Sequence, residues 1–317
     1  MTRVLPFDDD AIARAAALIR AGQIVAVPTE TVYGLAADAT SSDAVDRIYE
    51  AKGRPRFNPL IVHVASVDQA REIAEFADSA STLARLYWPG PLTMVLPLRR
   101  GHGLSSALLG RNETVALRMS RHPAMEALLA ASGTPLAAPS ANASGTISPT
   151  RAEHVVASLG GRIPLVIDGG PTQAGLESTI VEVGPDRIRL LRPGPLDVHR
   201  ISAMAKLAME EPLGLDVGRL RAPGQLASHY APSKPLRLNA IAAEPDEWMI
   251  GFGAVAGDDN LSPSGDLDEA AARLFDALHR SEGEGRPRIA VAPIPNEGIG
   301  LAINDRLGRA AAPRDRD

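Results

Sequence analysis

The segment from residue 25 to residue 64 constrains the fold most strongly, because two short apolar runs in it each border polar side chains. Residues 23–28 predict a short strand, and the chain leaves this strand through Thr29, Glu30 and Thr31. Two hydroxyls and a carboxylate at the end of an apolar strand are typical of the rim of a binding pocket in an α/β sheet.

The second half of the same segment concentrates positive charge. Its sequence KGRPRFN places Lys52, Arg54 and Arg56 close together, with Asn58 after them, and a second predicted strand then carries His63. Phosphate oxygens bind fixed cations and backbone N–H groups alike. The two strand ends together therefore predict a pocket for an anionic ligand.

The composition limits the classes of protein to consider. A chain of 317 residues with 45% hydrophobic and 22% charged residues predicts a globular protein of two domains. Because the sequence contains no cysteine, disulfides, thiolate nucleophiles and cysteine-based zinc sites are excluded. No apolar run is typical of a signal peptide or a membrane span, so we expect a cytoplasmic protein with no membrane partner.

The charge is unevenly distributed along the chain. Residues 236–317 contain 15 acidic and 9 basic residues, whereas the preceding residues contain 23 acidic and 24 basic residues. A tight nucleic-acid binder usually has a larger basic excess. The basic residues of the first part are therefore expected to cluster at one site.

The pattern of elements predicts an α/β fold with a small second domain. Strand and helix patterns alternate through residues 1–210, and the adjacent strands predicted at 177–183 and 187–191 indicate a mixed sheet. Residues 211–235, rich in proline and glycine and containing HYAP, predict a linker. Residues 236–317 predict a small α/β domain whose C-terminal end is frayed.

Polar residues recur at the ends of predicted strands, although each has an ordinary structural interpretation. Lys52 and Arg54 are compatible with a solvated helix end, and His63 with a hydrogen-bonded core histidine. Arg118 is different, because apolar residues flank it within a strand, so its charge must either reach water or pair with an anion. Further polar groups at strand ends are Ser140, Asn142, the run 177–179 and Arg192. Together they favour one shared ligand site.

Five motifs carry a resemblance to a known family. PTETVYGL, KGRPRFNPLIVHV, WPGPLT, LAAPSANASG and ESTIV occur in this order, and the chain resembles the YrdC-type threonylcarbamoyl-AMP synthases over residues 8–205. The HYAP segment and the C-terminal part resemble the longer, two-domain form of that family. Ala222 and Ser228 depart from the family, which more often has a serine and a basic residue at these places.

The resemblance implies an open, twisted mixed sheet with helices around a positive concavity, together with a small C-terminal α/β domain. It implies the reaction of L-threonine, bicarbonate and ATP to threonylcarbamoyl-AMP and pyrophosphate, with Mg²⁺ accompanying ATP and no metal site of the protein's own. Downstream proteins would transfer the threonylcarbamoyl group to tRNA, and direct RNA contact is compatible but not required.

The resemblance also implies the roles of individual residues. Lys52 and Arg54 would act in catalysis by electrostatic stabilisation. The residues implied to bind threonine are Thr31, His63, Arg118, Ala138 and Ser178. The residues implied to bind ATP are Lys52, Arg54, Asn58, Thr114, Ser140, Asn142, Ser148, Arg192 and Tyr230.

Two other interpretations stay open at this point. One is a non-catalytic module that binds structured tRNA or rRNA, supported by Arg47, Lys52, Arg54 and Arg56 in one segment. The near-neutral first part and the scarcity of aromatic residues argue against it. The other is a carbamoyl-transfer domain of a larger maturation enzyme, for which the expected cysteine-rich modules are missing from the sequence.

Overall fold

The computed structural model describes residues 1–109, 112–210, 222–224 and 228–313. The strands are β1 (Arg3–Pro6), β2 (Val25–Val27), β3 (Gly34–Asp38), β4 (Ile61–His63), β5 (Leu92–Pro97), β6 (Thr114–Arg118), β7 (Leu136–Ala137), β8 (Leu165–Asp168), β9 (Thr179–Val183), β10 (Arg187–Arg192), β11 (Ala208–Glu210), β12 (Leu236–Arg237), β13 (Glu247–Gly251), β14 (Asp259–Asn260) and β15 (Arg288–Val291). The helices are α1 (Asp9–Arg20), α2 (Ser42–Lys52), α3 (Val67–Ile73), α4 (Asp78–Tyr87), α5 (Ser106–Leu109), α6 (Pro123–Ser132), α7 (Ala152–Leu159), α8 (Val198–Ala205), α9 (Leu267–Gly283) and α10 (Gly300–Ala311).

Within the described ranges, β1 to β11 form one sheet in the order β1-β8-β2-β3-β7-β4-β6-β5-β9-β10-β11. The sheet is mixed, since β4 pairs in parallel with β6 whereas β5 pairs antiparallel with β6. The register of β4 and β6 places His63 directly beside Arg118. The mixed sheet predicted from the sequence is confirmed, and we call this sheet with α1 to α8 the N-terminal domain.

Helix α2 shows how local sequence positions a functional side chain. The Ser41 hydroxyl caps the helix by accepting a hydrogen bond from the Ala44 backbone N–H at 3.3 Å. Val45 and Ile48 face the core, and burial of one such side chain stabilises the fold by about 1.5–3 kcal/mol. Gly53 ends the helix in the left-handed conformation, with φ of 59°. The last turn therefore aims Lys52 into the protein, where it is buried.

A small parallel sheet follows in the order β12-β15-β13-β14, and α9 and α10 complete what we call the C-terminal domain. Its apolar core contains Leu274, Phe275 and Ile303. The same cluster extends to Leu176 of the N-terminal domain and to Tyr230 of the predicted linker. The small α/β domain predicted from the sequence is confirmed. It packs against Leu176, Ser148 and Arg151 of the N-terminal domain.

Three local features were not predicted from the sequence. Residues 34–38 form β3, antiparallel to β2, because small apolar residues fit the crowded centre of the sheet. Helix α8 ends at Ala205, and the short strand β11 follows it. The end predicted to fray is helical up to Ala311 in α10, which buries Ile303 and Leu307 against the C-terminal core, whereas residues 314–317 lie outside the described residues.

The predicted linker falls partly outside the described residues, namely at 211–221 and 225–227. Its described part includes His229 and Tyr230, both of which are buried. Across the described residues, no helix combines the length and apolar character needed to cross a lipid bilayer.

Candidate active site

A narrow cavity of about 40 Å³ opens where β4, β6 and β9 meet the loops that follow β2 and β7. Its polar lining comes from widely separated stretches of the chain, between Thr29 and Tyr230. The lining residues are Thr29, Thr31, Val32, Gly34, Arg54, Ile61, His63, Arg118, Ala138, Pro139, Ser140, Glu177, Ser178, Arg192, Pro223, Gly224, His229 and Tyr230. Sites for drug-sized ligands usually measure 300–1,000 Å³, so the cavity is smaller in this structure than a typical site of that kind.

The five residues expected to bind threonine all line this cavity: Thr31, His63, Arg118, Ala138 and Ser178. Arg118 is their centre. Its Nη1 donates to Thr31 Oγ1 at 2.9 Å, and its Nη2 lies 2.8 Å from Glu30 Oε1 in a buried ion pair. Ser178 Oγ is 2.7 Å from Thr93 Oγ1, so a neighbouring strand fixes the position of this hydroxyl.

Eight of the nine residues expected to bind ATP lie in or directly behind the cavity wall. Arg54, Ser140, Arg192 and Tyr230 line the cavity. Behind them, Lys52 Nζ donates to the carbonyl oxygens of Ser140 and Asn142, Arg54 Nη2 donates to Asn58 Oδ1, and Ser148 Oγ donates to Glu177 Oε1.

Thr114 is the ninth residue of the ATP set, and it does not line the cavity. It begins β6 opposite Pro97, four positions before Arg118. The alternation of side chains in a strand puts Thr114 on the same face as Arg118 but roughly 13 Å away. Its role in binding ATP stays a prediction.

Lys52, Arg54 and Arg192 are buried cations that bond to neutral oxygen atoms. The two Lys52 hydrogen bonds to carbonyls are each 2.5 Å, and Arg192 Nη2 donates to the Ser178 carbonyl and hydroxyl oxygens at 3.0 and 3.1 Å. None of the three forms an ion pair with a carboxylate of the described residues, whereas Arg118 pairs with Glu30. Three buried cations without a direct carboxylate partner favour binding of a polyanion.

The pKa values reflect this crowding of positive charge. Burial, and then the charge of Arg54, hold the pKa of Lys52 well below its ordinary value, while Glu177 opposes the shift. Burial lowers the pKa of Arg54 to about 10. Burial and then Arg118 lower the pKa of His63 to about 3, so this imidazole is neutral near pH 7.

Several polar atoms at the site have no hydrogen-bond partner among the described residues. These buried atoms are Asn58 Nδ2, His63 Nδ1, His229 Nδ1 and Tyr230 Oη. A buried polar group without a partner is costly, and such groups concentrate where ligands bind. Their position around one cavity favours a polar ligand that would satisfy them.

Gly224 closes the cavity from the described part of the linker. It has φ of +86°, and a Cβ there would lie 2.8 Å from Arg192 Cδ and 2.9 Å from Tyr230 Oη. Only glycine fits this contact without moving those side chains. The described linker residues therefore lie against the cavity wall in this structure.

Glu30, Thr93, Glu177 and Arg306 are site residues to which the sequence did not lead us to assign roles. The carboxylates of Glu30 and Glu177 stand in the motifs PTETVYGL and ESTIV, so the motifs offered a signal. Thr93 ends the motif WPGPLT and so offered the same signal, whereas Arg306 offered none, because only the tertiary fold brings it to Glu177.

No group of three or more His, Cys, Asp or Glu side chains in the described part of the chain is arranged to hold a metal ion. A larger cleft, of about 880 Å³, lies between α7 and α9. Its charged side chains are mostly paired with one another, since Asp276 accepts from both Arg151 and Arg280. The narrow cavity is therefore the better candidate for chemistry.

The basic segment 47–56 does not form an exposed cationic surface. Lys52 and Arg54 are buried, Arg47 Nη1 donates to the Gly22 carbonyl, and Arg56 pairs with Asp46. This arrangement does not favour the RNA-binding interpretation, which needs exposed cations facing a phosphate backbone.

The open mixed sheet has buried cations beside its polar strand ends, and described linker residues line the same cavity. This arrangement defines a YrdC-like α/β protein of the two-domain type. Residues 17–194 match the family model Sua5_yciO_yrdC, described as telomere recombination. Residues 196–312 match the threonylcarbamoyl-AMP synthase C-terminal domain. The chain belongs to this family, as the sequence motifs predicted.

Curated relatives and a solved structure agree with this assignment. The chain is 41% identical to threonylcarbamoyl-AMP synthase of Bacillus subtilis, over 99% of this chain and 96% of that protein. It is 39% identical to the enzyme of the same name from Pyrococcus abyssi, over 95% and 94%. The crystal structure of P. abyssi Sua5 complexed with L-threonine superposes with a TM-score of 0.87 at 36% identity, over 98% and 97%.

Proposed function

We propose that this protein is a threonylcarbamoyl-AMP synthase, which forms threonylcarbamoyl-AMP and pyrophosphate from L-threonine, bicarbonate and ATP. The single observation that carries the proposal is the set of three buried cations without direct carboxylate partners beside the polar cluster around Arg118. The names of the full-length relatives and the threonine complex of P. abyssi Sua5 support it.

In the proposed reaction, the neutral amine of threonine takes up CO₂ derived from bicarbonate and forms a carbamate. A carbamate oxygen then attacks the α-phosphorus of ATP, a new P–O bond forms, and the bond to pyrophosphate breaks. Negative charge grows on the leaving pyrophosphate. Lys52, Arg54 and Arg192 would stabilise it electrostatically, with no covalent enzyme intermediate.

Arg118 would hold the carboxylate of threonine. A guanidinium has five N–H donors, and in this structure Glu30, Thr31 and the Gly90 carbonyl engage one nitrogen each. The remaining donors suit a carboxylate, which Arg binds in a forked geometry. Glu30 would keep the guanidinium in place while substrate comes and goes.

Neutral His63 and Ser178 would contact the threonine hydroxyl and amine, and Thr31 and Ala138 would complete the threonine subsite. A site that hydrogen-bonds a substrate hydroxyl discriminates strongly against analogues that lack it. The unpartnered Nδ1 of His63 supports this role.

The nucleotide would occupy the other side of the cavity. Lys52, Arg54 and Arg192 would face its phosphates. The remaining residues of the proposed ATP site are Asn58, Thr114, Ser140, Asn142, Ser148 and Tyr230. Tyr230 and Gly224 line the narrow cavity, so the linker would lift to admit ATP and close over it afterwards.

Mg²⁺ would arrive with ATP. It prefers phosphate and water oxygens and needs few protein ligands in such sites, so ATP and water would supply most of its ligands. When bound, it would neutralise phosphate charge. The product would be consumed by downstream proteins that transfer the threonylcarbamoyl group to tRNA, and we place the protein in the cytoplasm with them.

Pyrophosphate release from ATP tests the function. We expect release that requires both threonine and bicarbonate, measured with each omitted in turn. Serine and 2-aminobutyrate, which lack the methyl or the hydroxyl of threonine, should support slower release. Release that is unaffected by the omission of threonine would contradict the proposal.

A further inference from the structure

Arg306 is a buried arginine that the C-terminal domain extends into the wall of the candidate active site. It lies on α10 and is 1% exposed. Its Nε donates to Glu177 Oε2 at 2.8 Å, and its Nη2 donates to the Pro193 carbonyl oxygen at 3.0 Å. Glu177 lines the cavity, and Pro193 directly follows Arg192. One side chain therefore connects α10 to two segments of the site.

Arg306 also reaches the linker and, through Glu177, a fourth segment. Its guanidinium carbon lies 5.1 Å from the centroid of the Tyr230 ring, within the range of a cation–π contact. The second oxygen of Glu177 accepts a hydrogen bond from Ser148 Oγ at 2.5 Å. Arg306 and Ser148 thus hold the two carboxylate oxygens of Glu177 from opposite sides.

The carboxylate of Glu177 lies in the electrostatic field of the cations assigned to ATP. It acts on both Lys52 and Arg192, raising the pKa of each against the effect of burial. Burial would raise the pKa of Glu177 itself, but Arg306 and then Arg192 outweigh it and hold this pKa below its ordinary value. Glu177 is therefore ionised, and Arg306 is the cation in direct contact with it.

We propose that Arg306 is a positioning residue of the nucleotide subsite: by neutralising and fixing Glu177, it keeps that carboxylate from pairing with Lys52 and Arg192. Both cations are then left to bind the phosphates of ATP. The inference rests on the proposed function, and it gives the C-terminal domain a part in ATP binding that acts through Glu177. Without Arg306, Glu177 would compete with ATP for the same cations.

Steady-state pyrophosphate release by full-length variants tests this role. In Arg306→Met we expect the KM for ATP to rise about tenfold or more, while the KM for threonine changes less than about threefold. Arg306→Lys keeps the charge beside Glu177 and should raise the KM for ATP less. Glu177→Gln combined with Arg306→Met removes the competing carboxylate and should return the KM for ATP to within about threefold of the unmodified protein.

Arg273→Met is the matched control, because Arg273 is an ion-paired arginine of α9 that lies on the surface, and its kinetics should be unchanged. An unaltered KM for ATP in Arg306→Met would overturn the inference, as would a folded double variant that is as impaired as the single one. If Arg306→Met does not fold, the KM for ATP of the double variant tests the inference. A rise of less than about threefold supports the inference, and a rise of about tenfold or more overturns it. If the unmodified protein shows no threonine-dependent pyrophosphate release, the proposed function is overturned, and the inference with it.

Discussion

Each buried charge at the site has a distinct set of partners, and these partners define what the residue can do. Arg118 is paired with Glu30, so it is held in place. Lys52 and Arg54 bond only to amide and carbonyl oxygens within the described part of the chain. An arginine paired with a carboxylate, such as Arg118, is suited to orient a substrate. Cations without a direct carboxylate partner, such as Lys52 and Arg54, are suited to stabilise growing negative charge.

We expect Lys52→Ala or Arg54→Ala to reduce kcat/KM for pyrophosphate release by more than about 100-fold, because each removes a cation from the phosphates. Both variants should stay folded in thermal melts monitored by circular dichroism. Arg56→Ala is the matched control, since Arg56 is an exposed cation of the same segment, and its turnover should be unchanged. Near-normal turnover in Lys52→Ala or Arg54→Ala would contradict the assignment of the phosphate site.

The Glu30 carboxylate makes stability depend on pH in the acid range. Burial would raise its pKa, but Arg118 and the Ser120 hydroxyl outweigh burial and lower the pKa from 4.5 to about 2. Because the folded-state pKa is depressed, its stabilisation is fully present above pH 4.5 and is lost as the pH falls toward 2. The shift corresponds to a contribution on the order of 3 kcal/mol.

Urea denaturation of Glu30→Gln and the unmodified protein measures this contribution. We expect the variant to be less stable at pH 6, and the difference in free energy of unfolding to shrink as the pH falls below 4.5. A difference in free energy of unfolding that stays the same between pH 6 and pH 3.5 would contradict a lowered pKa of Glu30 in its pair with Arg118.

At the scale of elements, the linker segment around Tyr230 both covers the site and belongs to the C-terminal core. Tyr230 has φ of 63°, and its ring lies 5.6 Å from that of Phe275. Ala231 continues the segment with a hydrogen bond from its N–H to the Gly145 carbonyl oxygen at 2.9 Å. The hydroxyl of Tyr230 has no hydrogen-bond partner among the described residues.

Two substitutions separate these roles of Tyr230. Tyr230→Phe removes only the hydroxyl, so we expect unchanged stability and a several-fold higher KM for ATP. Tyr230→Ala leaves a cavity in the core and should also cost about 3–5 kcal/mol of stability. Calorimetric titration of both variants should show a larger loss for ATP than for threonine. Equal losses for the two substrates would argue that the segment is not a nucleotide lid.

At the scale of the whole molecule, polar contacts fasten the C-terminal domain to the large sheet. Arg306 pairs with Glu177, and Arg151 of the N-terminal domain pairs with Asp276 of α9. Beside them the rings of His154 and His279 stack across the boundary, 3.8 Å apart. Stacking at this distance requires that the two imidazoles are not both charged.

The histidine pair predicts that the folded protein is less stable in acid. Burial, and then the proximity of His279, lower the pKa of His154 from 6.5 to about 3, although Asp276 opposes the shift, and burial also lowers the pKa of His279. Below pH 6.5 the unfolded chain therefore takes up protons that the folded chain does not. Stability should fall with pH by up to about 1.4 kcal/mol per pH unit for each histidine.

Thermal or urea unfolding between pH 7.5 and 5.5 checks this dependence. We expect His154→Gln to show a shallower loss of stability with acid than the unmodified protein. His199→Gln, which alters an exposed histidine of α8, should retain the original slope. An identical slope in His154→Gln would contradict the account of the stacked pair.

The sequence predicted most of the residues that the structure brings together at the candidate site, because they stand at strand ends in short motifs. Arg118 was identified as a charged residue within an apolar strand, and it is indeed buried and paired. Arg306 could not be predicted, since nothing near it in the sequence distinguishes it from a surface helix arginine. The strand 34–38 was missed because small residues give a weak pattern, although the centre of a crowded sheet accepts them.

The central claim is that one cavity joins a nucleotide to an amino acid through a bicarbonate-derived carbon. Mass spectrometry of a reaction with ATP, threonine and ¹³C-bicarbonate tests it most directly. We predict one adenylate that contains both the threonine residue and a single ¹³C atom, formed together with pyrophosphate. An adenylate of threonine without the added carbon, or AMP formed with no threonine attached at any time, would contradict the claim.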